Sequence, residues 1–189
     1  RIARRRAIRV TQPFQPQFLT FRPIGWLING IAVLLAFGFG SAASDQWEEL
    51  LLYVNRTPFG MVDPIFGQEV SFYLFELPIY EFLQGWILGL LLVTLLGIIP
   101  IYAINNAPDI QRGQWRPDQM PVRRQHVALI GGLFLLSWAV GHGLDIFNLM
   151  YSTRSSAVGV GPSYTDMNAG IYALYAQTAL MGLTAVFLL

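Results

Sequence analysis

Four apolar runs alternate with short polar stretches along this chain, at residues 23–43, 78–102, 126–149 and 167–189. A hydrocarbon core about 30 Å thick takes roughly 20 helical residues at about 1.5 Å each. Each run meets that length, which predicts an all-α fold: a polytopic helical transmembrane protein of about four spans. The connecting stretches are a tail at 1–22, outer loops at 44–77 and 150–166, and an inner loop at 103–125. Within the first outer loop, Ser44-Asp45-Gln46-Trp47-Glu48-Glu49 reads as a helix start with acids in its first turn. Leu50, Leu51, Tyr53 and Val54 follow it and predict an amphipathic interfacial helix.

Local signals refine the spans. Pro23 suits the first turn of the first helix, and Trp26 sits where aromatic belts sit. Gly25, Gly30, Gly38 and Gly40 give that helix a small-residue surface, suited to packing against protein. In the second span, Glu76 places an acid at the positive end of the helix dipole, and Pro100 is expected to end or bend the helix. Gly85 and Gly89 form a GxxxG pair, a candidate interface for another helix. Ala128/Gly132 and Ala139/Gly143 repeat the spacing in the third span.

Charge adds an orientation. Charged residues make up 12% of the 189 residues, about half the share of a soluble domain. All twelve basic residues are arginine: six lie in the tail, four in the 103–125 loop, and Arg56 and Arg154 in the two outer loops. Ten against two predicts a cytoplasmic N-terminus. The first nine residues read either as a basic helix on anionic lipid or as a solvated tail. No nucleic-acid partner is expected; the net charge of +1 itself argues neither way. The absence of cysteine removes disulfides and thiolate chemistry. The start at Arg1 and the end at Leu189, inside an apolar run, read as a piece of a longer protein.

Few residues are candidates for chemistry. The stretch Phe59-Gly60-Met61-Val62-Asp63-Pro64-Ile65-Phe66-Gly67-Gln68-Glu69 carries two Phe-Gly pairs around an Asp-Pro turn signal. With Phe72 and Tyr73 it reads first as a rigid interfacial loop anchoring the second span. The functional alternative is a partner- or ligand-binding surface using Asp63 and Glu69. The only histidines, His126 and His142, fall on nearly opposite faces of one helix, about 24 Å apart at roughly 1.5 Å per residue, and share no metal. His142 lies between Gly141 and Gly143, where a single imidazole could ligate a haem or a (bacterio)chlorophyll. The ordinary alternative is a pairing with Asp145, three residues on. Glu81 and Asp145 are the acids nearest the membrane interior, both about two turns from the outer surface. No charge sits mid-span, and no phosphate-binding loop, metal-ligand spacing or nucleophile elbow is found, so no catalytic residue and no enzymatic activity are expected.

These residues also carry a resemblance. Phe59-Gly60, Asp63-Pro64, Phe66-Gly67, Phe72-Tyr73-Leu74-Phe75 and Leu77-Pro78 match in order and spacing with Leu144-Asp145, Leu149-Met150-Tyr151-Ser152 and Ser163-Tyr164-Thr165-Asp166. Over roughly residues 45–180 the chain resembles uncharacterised protein family 0182, large bacterial membrane proteins. The resemblance implies a bacterial plasma (inner) membrane protein with several N-terminal spans followed by an exported domain, of which this chain is an internal membrane piece. It implies no active site. Three functional expectations follow, in order. The first is a structural or accessory subunit packing with other membrane-protein subunits in the lipid bilayer. The second is a transporter or channel component, which requires polar residues lining a cavity near Glu81 or Asp145. The third is a pigment- or haem-binding subunit through His142.

Overall fold

The computed structural model describes residues 22–111, 121–152 and 161–189; the basic tail expectation, much of the inner loop and Arg154 lie outside the described residues. Among the described residues the fold is all-α. The helices are α1 (Arg22–Ser44), α2 (Trp47–Val54), α3 (Leu77–Gln111), α4 (Pro121–Asn148) and α5 (Ile171–Leu188). Four helical segments are long and apolar enough to cross a membrane: Gly25–Ser44, Phe72–Ile104, Arg124–Tyr151 and Asp166–Leu188. The chain divides into two compact units between Ala42 and Ala43. The first contains most of α1, an uninterrupted apolar helix of 23 residues.

The second unit contains α2 to α5, with α4 packed between α3 and α5. α3 and α4 run antiparallel and are clasped at three levels. Near one end Tyr102 Oη and His126 Nδ1 lie 2.9 Å apart. Midway, Gln84 Nε2 donates to the Ser137 carbonyl at 2.9 Å, and Ser137 Oγ donates back to the Gln84 carbonyl at 3.4 Å. At the other end Asn148 Nδ2 donates to Glu81 Oε1. Such interhelical hydrogen bonds suit an apolar environment, where an unpaired polar group is costly.

Glycines set the two closest approaches on α4. A Cβ on Gly132 would stand 2.9 Å from the Leu189 side chain and 3.2 Å from the Ala185 carbonyl, so α5 meets α4 there. A Cβ on Gly141 would stand 2.8 Å from Gln84 Nε2, so α3 meets α4 there. Gly85, half of the GxxxG pair expected to form an interface, has nothing within 4 Å of its Cβ position.

Two helix boundaries depart from expectation. α3 runs on past Pro100 to Gln111 instead of ending there. Proline removes one amide donor but tolerates helical φ, and the apolar residues around it favour continued internal hydrogen bonding. The same helix begins earlier than Pro78, through a π-helical turn over Phe72–Glu76. That wider turn lies where an α-helical Pro78 would press on the carbonyl four residues before it. A second π-turn, Asp166–Gly170, leads into α5.

Candidate functional site

The loop between α2 and α3 is organised around two carboxylates. Val62 and Glu69 form an antiparallel bridge. Around it the Asp63 amide donates to the Gln68 carbonyl at 2.7 Å, and the Gly67 amide to the Asp63 carbonyl at 3.0 Å. Gly60 and Gly67 occupy the left-handed region, with φ of 72° and 67°, where a side chain would be strained. Asp63 is buried, and its side chain accepts from the Ile65 amide at 3.0 Å, the Phe66 amide at 2.7 Å and Tyr73 Oη at 3.0 Å. Burial pushes its carboxyl up, but these three donors together outweigh it and hold it below the usual range. Glu69 accepts from the Ser71 hydroxyl and from the Phe59 and Gly60 amides. The Ser71 hydroxyl, opposed by partial desolvation and aided by the two amides, holds Glu69 below its ordinary value as well.

Aromatic rings join this loop to the end of α4. Phe147 receives Phe66 at 5.6 Å, Phe72 at 5.0 Å and Tyr73 at 6.4 Å between ring centroids, all edge-on. Tyr151 Oη donates to the Tyr73 carbonyl at 3.2 Å. Of the four loop aromatics singled out above, Tyr73 is buried, Phe66 and Phe72 are half-buried, and Phe59 is exposed and stacked on Phe75. On its other side Arg56 ties the end of α2 to the start of the second span: its Nη1 donates to the Tyr53 carbonyl at 3.0 Å and its Nε lies 3.0 Å from Glu76 Oε1, while Tyr80 Oη donates to Glu76 Oε2 at 3.1 Å.

Beside this loop, at the same end of the helices, lie two adjoining polar cavities. One, of about 300 Å³, is lined by Glu81, Gln84, Trp138, Gly141, His142, Asp145 and Asn148 among others. The other, of about 520 Å³, shares Asp145 and Asn148 and continues past Tyr151 and Ser152 to Asp166. The helix register puts Glu81 and Asn148 in direct contact across the α3–α4 seam. His142 Nδ1 lies 3.3 Å from Asp145 Oδ2, close enough for an ion-pair contact but not aligned as a hydrogen bond, and the Nδ1 atom is buried. The imidazole stacks on Trp138, centroids 6.2 Å apart and planes at 21°, which covers one of its faces. Asp166 closes the far end, accepting from Ser152 Oγ at 2.8 Å and the Ser163 amide at 3.0 Å. Its own amide donates to Ser163 Oγ at 3.2 Å, so Ser163 and Asp166 form a reciprocal helix cap.

Glu81, His142 and Asp145 thus line one cavity, while Asp63 and the loop aromatics form a separate hydrogen-bonded and stacked assembly. Gln84, Trp138, Phe147, Asn148 and Asp166 complete these arrangements and had drawn no functional reading from the sequence. A polar residue inside an apolar run, as at Gln84 and Asn148, is the signal that would have found two of them. Among the described residues no group of three His, Cys, Asp or Glu is placed to hold a metal ion.

The architecture defines a helical protein with four helices compatible with membrane spanning. Residues 6–189 match the Uncharacterised protein family (UPF0182), and the chain belongs to that family. A UPF0182 protein of Synechococcus sp. (strain JA-2-3B'a(2-13)) is 36% identical over 156 residues, covering 82% of this chain and 18% of that protein. A UPF0182 protein of Trichlorobacter lovleyi is 36% identical over 154 residues, covering 81% of this chain and 16% of that protein. One of Salinibacter ruber is 33% identical over 156 residues, again 82% of this chain and 16% of the relative. The chain therefore spans less than a fifth of the length of these relatives. No solved structure matches it.

Proposed function

We propose that the chain is a helical module of the bacterial inner membrane, carrying out no reaction of its own and packing as a structural or accessory subunit within a larger membrane assembly. The observation that carries this reading is an apolar groove on the α3–α4 pair within the second unit. It measures about 600 Å³ and runs from Tyr80 to Leu91 on α3 and from Leu133 to Leu144 on α4. Gly85 and Gly143 leave open space beside the two helices, which lets another helix approach closely. The ten-to-two arginine asymmetry supports insertion with residues 1–22 in the cytoplasm.

A second reading, a component of a transport path, is favoured by the polar cavity near Glu81 and Asp145, the feature such a component requires. Solubilising the native membrane in mild detergent and capturing this protein tests the first reading. Stoichiometric membrane-protein partners are expected in the eluate. Recovery of a lone, partner-free monomer would overturn it and favour the second. An absorption spectrum of the same eluate tests pigment or haem ligation through His142.

A further inference from the structure

We propose that α5 pairs, through the Gln177 amide, with α5 of a second copy of this chain inserted in the same direction. The surface is a different one from the apolar groove on α3 and α4, so the inference goes beyond the assembly reading and stands or falls separately from it.

Depth makes the first argument. Gln177 stands at the centre of the membrane-length segment Asp166–Leu188, 11 residues from each end. At roughly 1.5 Å per residue that is about 16 Å from either end, the middle of a hydrocarbon core about 30 Å thick. The residue is exposed and has no hydrogen-bond partner among the described residues. A primary amide carries two N–H donors and a carbonyl acceptor, and leaving them unpaired in hydrocarbon is costly because no water is there to take them. The other polar side chains deep in the second unit do not answer it. Gln84 and Ser137 each donate to the other's carbonyl. Thr94 and Thr184 donate to carbonyls of their own helices at 2.7 Å, and the Thr178 hydroxyl is buried.

Symmetry and spacing select the partner. Two copies of one topology hold Gln177 at the same depth without further adjustment. About a two-fold axis along the membrane normal, each amide donates to the other's carbonyl, so one residue supplies both halves of the pair. Any other segment would have to bring its own free donor or acceptor to that depth. The residues around Gln177 also fit a helix seam. Ala173, Gln177, Leu180, Thr184 and Phe187 follow one another at steps of four, three, four and three, the seam spacing of paired helices. All five are exposed, Leu180 at 66% and Phe187 at 89%. The residues of α5 that are buried, Ile171 and Ala185, lie off this seam, on the side that packs within the unit. A single amide in an otherwise apolar or weakly polar seam fixes register and the number of helices, and hydrogen bonds of this kind join helices in lipid.

The test exploits the lack of cysteine in the chain. Leu180→Cys and Thr184→Cys each place one thiol on the seam, and Ala179→Cys places one at nearly the same depth but off it. Each full-chain variant is oxidised with copper phenanthroline in native membranes and run on a non-reducing gel. Disulfide-linked dimers of twice the chain mass are expected from the seam variants and not from Ala179→Cys. Adding Gln177→Leu to a seam variant should lower the dimer yield about threefold or more. Gln177 is exposed, so that change reports on pairing and not on the fold of the unit, and the seam cysteines test the contact with Gln177 intact. The proposal is overturned if neither seam variant gives a dimer, if Ala179→Cys cross-links as well as they do, or if Gln177→Leu leaves the yield unchanged. Adducts of the seam cysteines with a protein of another mass overturn it too, and leave the assembly reading in place.

Discussion

Two carboxylate-centred regions lie side by side at one end of this molecule and differ in how fully their acceptors are used. In the α2–α3 loop, Asp63 accepts from two backbone amides and one phenol, and Glu69 from two amides and a hydroxyl. In the α3–α4 cavity, Asp145 has one unaligned imidazole neighbour and Glu81 has one amide donor. The first region spends its negative charge on holding its own backbone in shape. The second leaves carboxyl oxygens lining a cavity. A carboxylate whose acceptors are filled by the chain holds local structure, whereas the half-exposed Asp145 contributes little to it.

Breaking the saturated side should cost the most. Asp63→Ala leaves the Ile65 and Phe66 amides and the Tyr73 hydroxyl without their acceptor, and should destabilise by about 3 kcal/mol. A thermal melt in detergent measures it, and Glu81→Gln in the same assay should lose under about 1 kcal/mol. Equal losses in the two variants would erase the distinction between the regions. Next in size, Gly132→Val drives a branched side chain into Leu189 and the Ala185 carbonyl, at an expected cost of about 1–3 kcal/mol. The same melt shows it.

Acid sharpens the comparison further. The folded-state values of Asp63 and Glu69 lie below their ordinary ones. Their stabilising contribution is therefore complete above the unfolded carboxylate range and is lost as pH falls through the lowered folded values. Loop opening should begin only below about pH 4, visible as loss of amide-exchange protection at Ile65 and Phe66. Protection lost already near neutrality would contradict the assignment. Smallest of all, Arg56→Ala removes a partly exposed pair with Glu76 and should change stability by less than about 1 kcal/mol.

Much of the architecture was legible because bilayer-length apolar runs are a coarse, additive signal. The ends of the helices were less so: Pro100 reads as an end or a bend, and α3 continues through it, while the π-turn that leads to Pro78 has no simple sequence signature. The Asp63-Pro64 pair announced a turn, but not that Tyr73, ten residues on, would donate to the same carboxylate. Contacts such as Glu81 with Asn148 and Gln84 with Ser137 join residues 67 and 53 positions apart. Their pairing is set by the helix–helix register, which local periodicity does not encode. The small-residue pattern likewise flagged Gly85 and Gly132 alike, and only packing distinguishes the glycine facing open space from the one against α5.

The most direct test of the account exploits the absence of cysteine from the chain. A single Asp145→Cys substitution, exposed in intact spheroplasts to a membrane-impermeant maleimide, reports at once on membrane insertion, orientation and water access to the cavity. Rapid labelling of Asp145→Cys from outside is expected, with labelling of a matched Gln125→Cys variant only after the membrane is permeabilised. Labelling of Gln125→Cys from outside, or of Asp145→Cys only after permeabilisation, would contradict it.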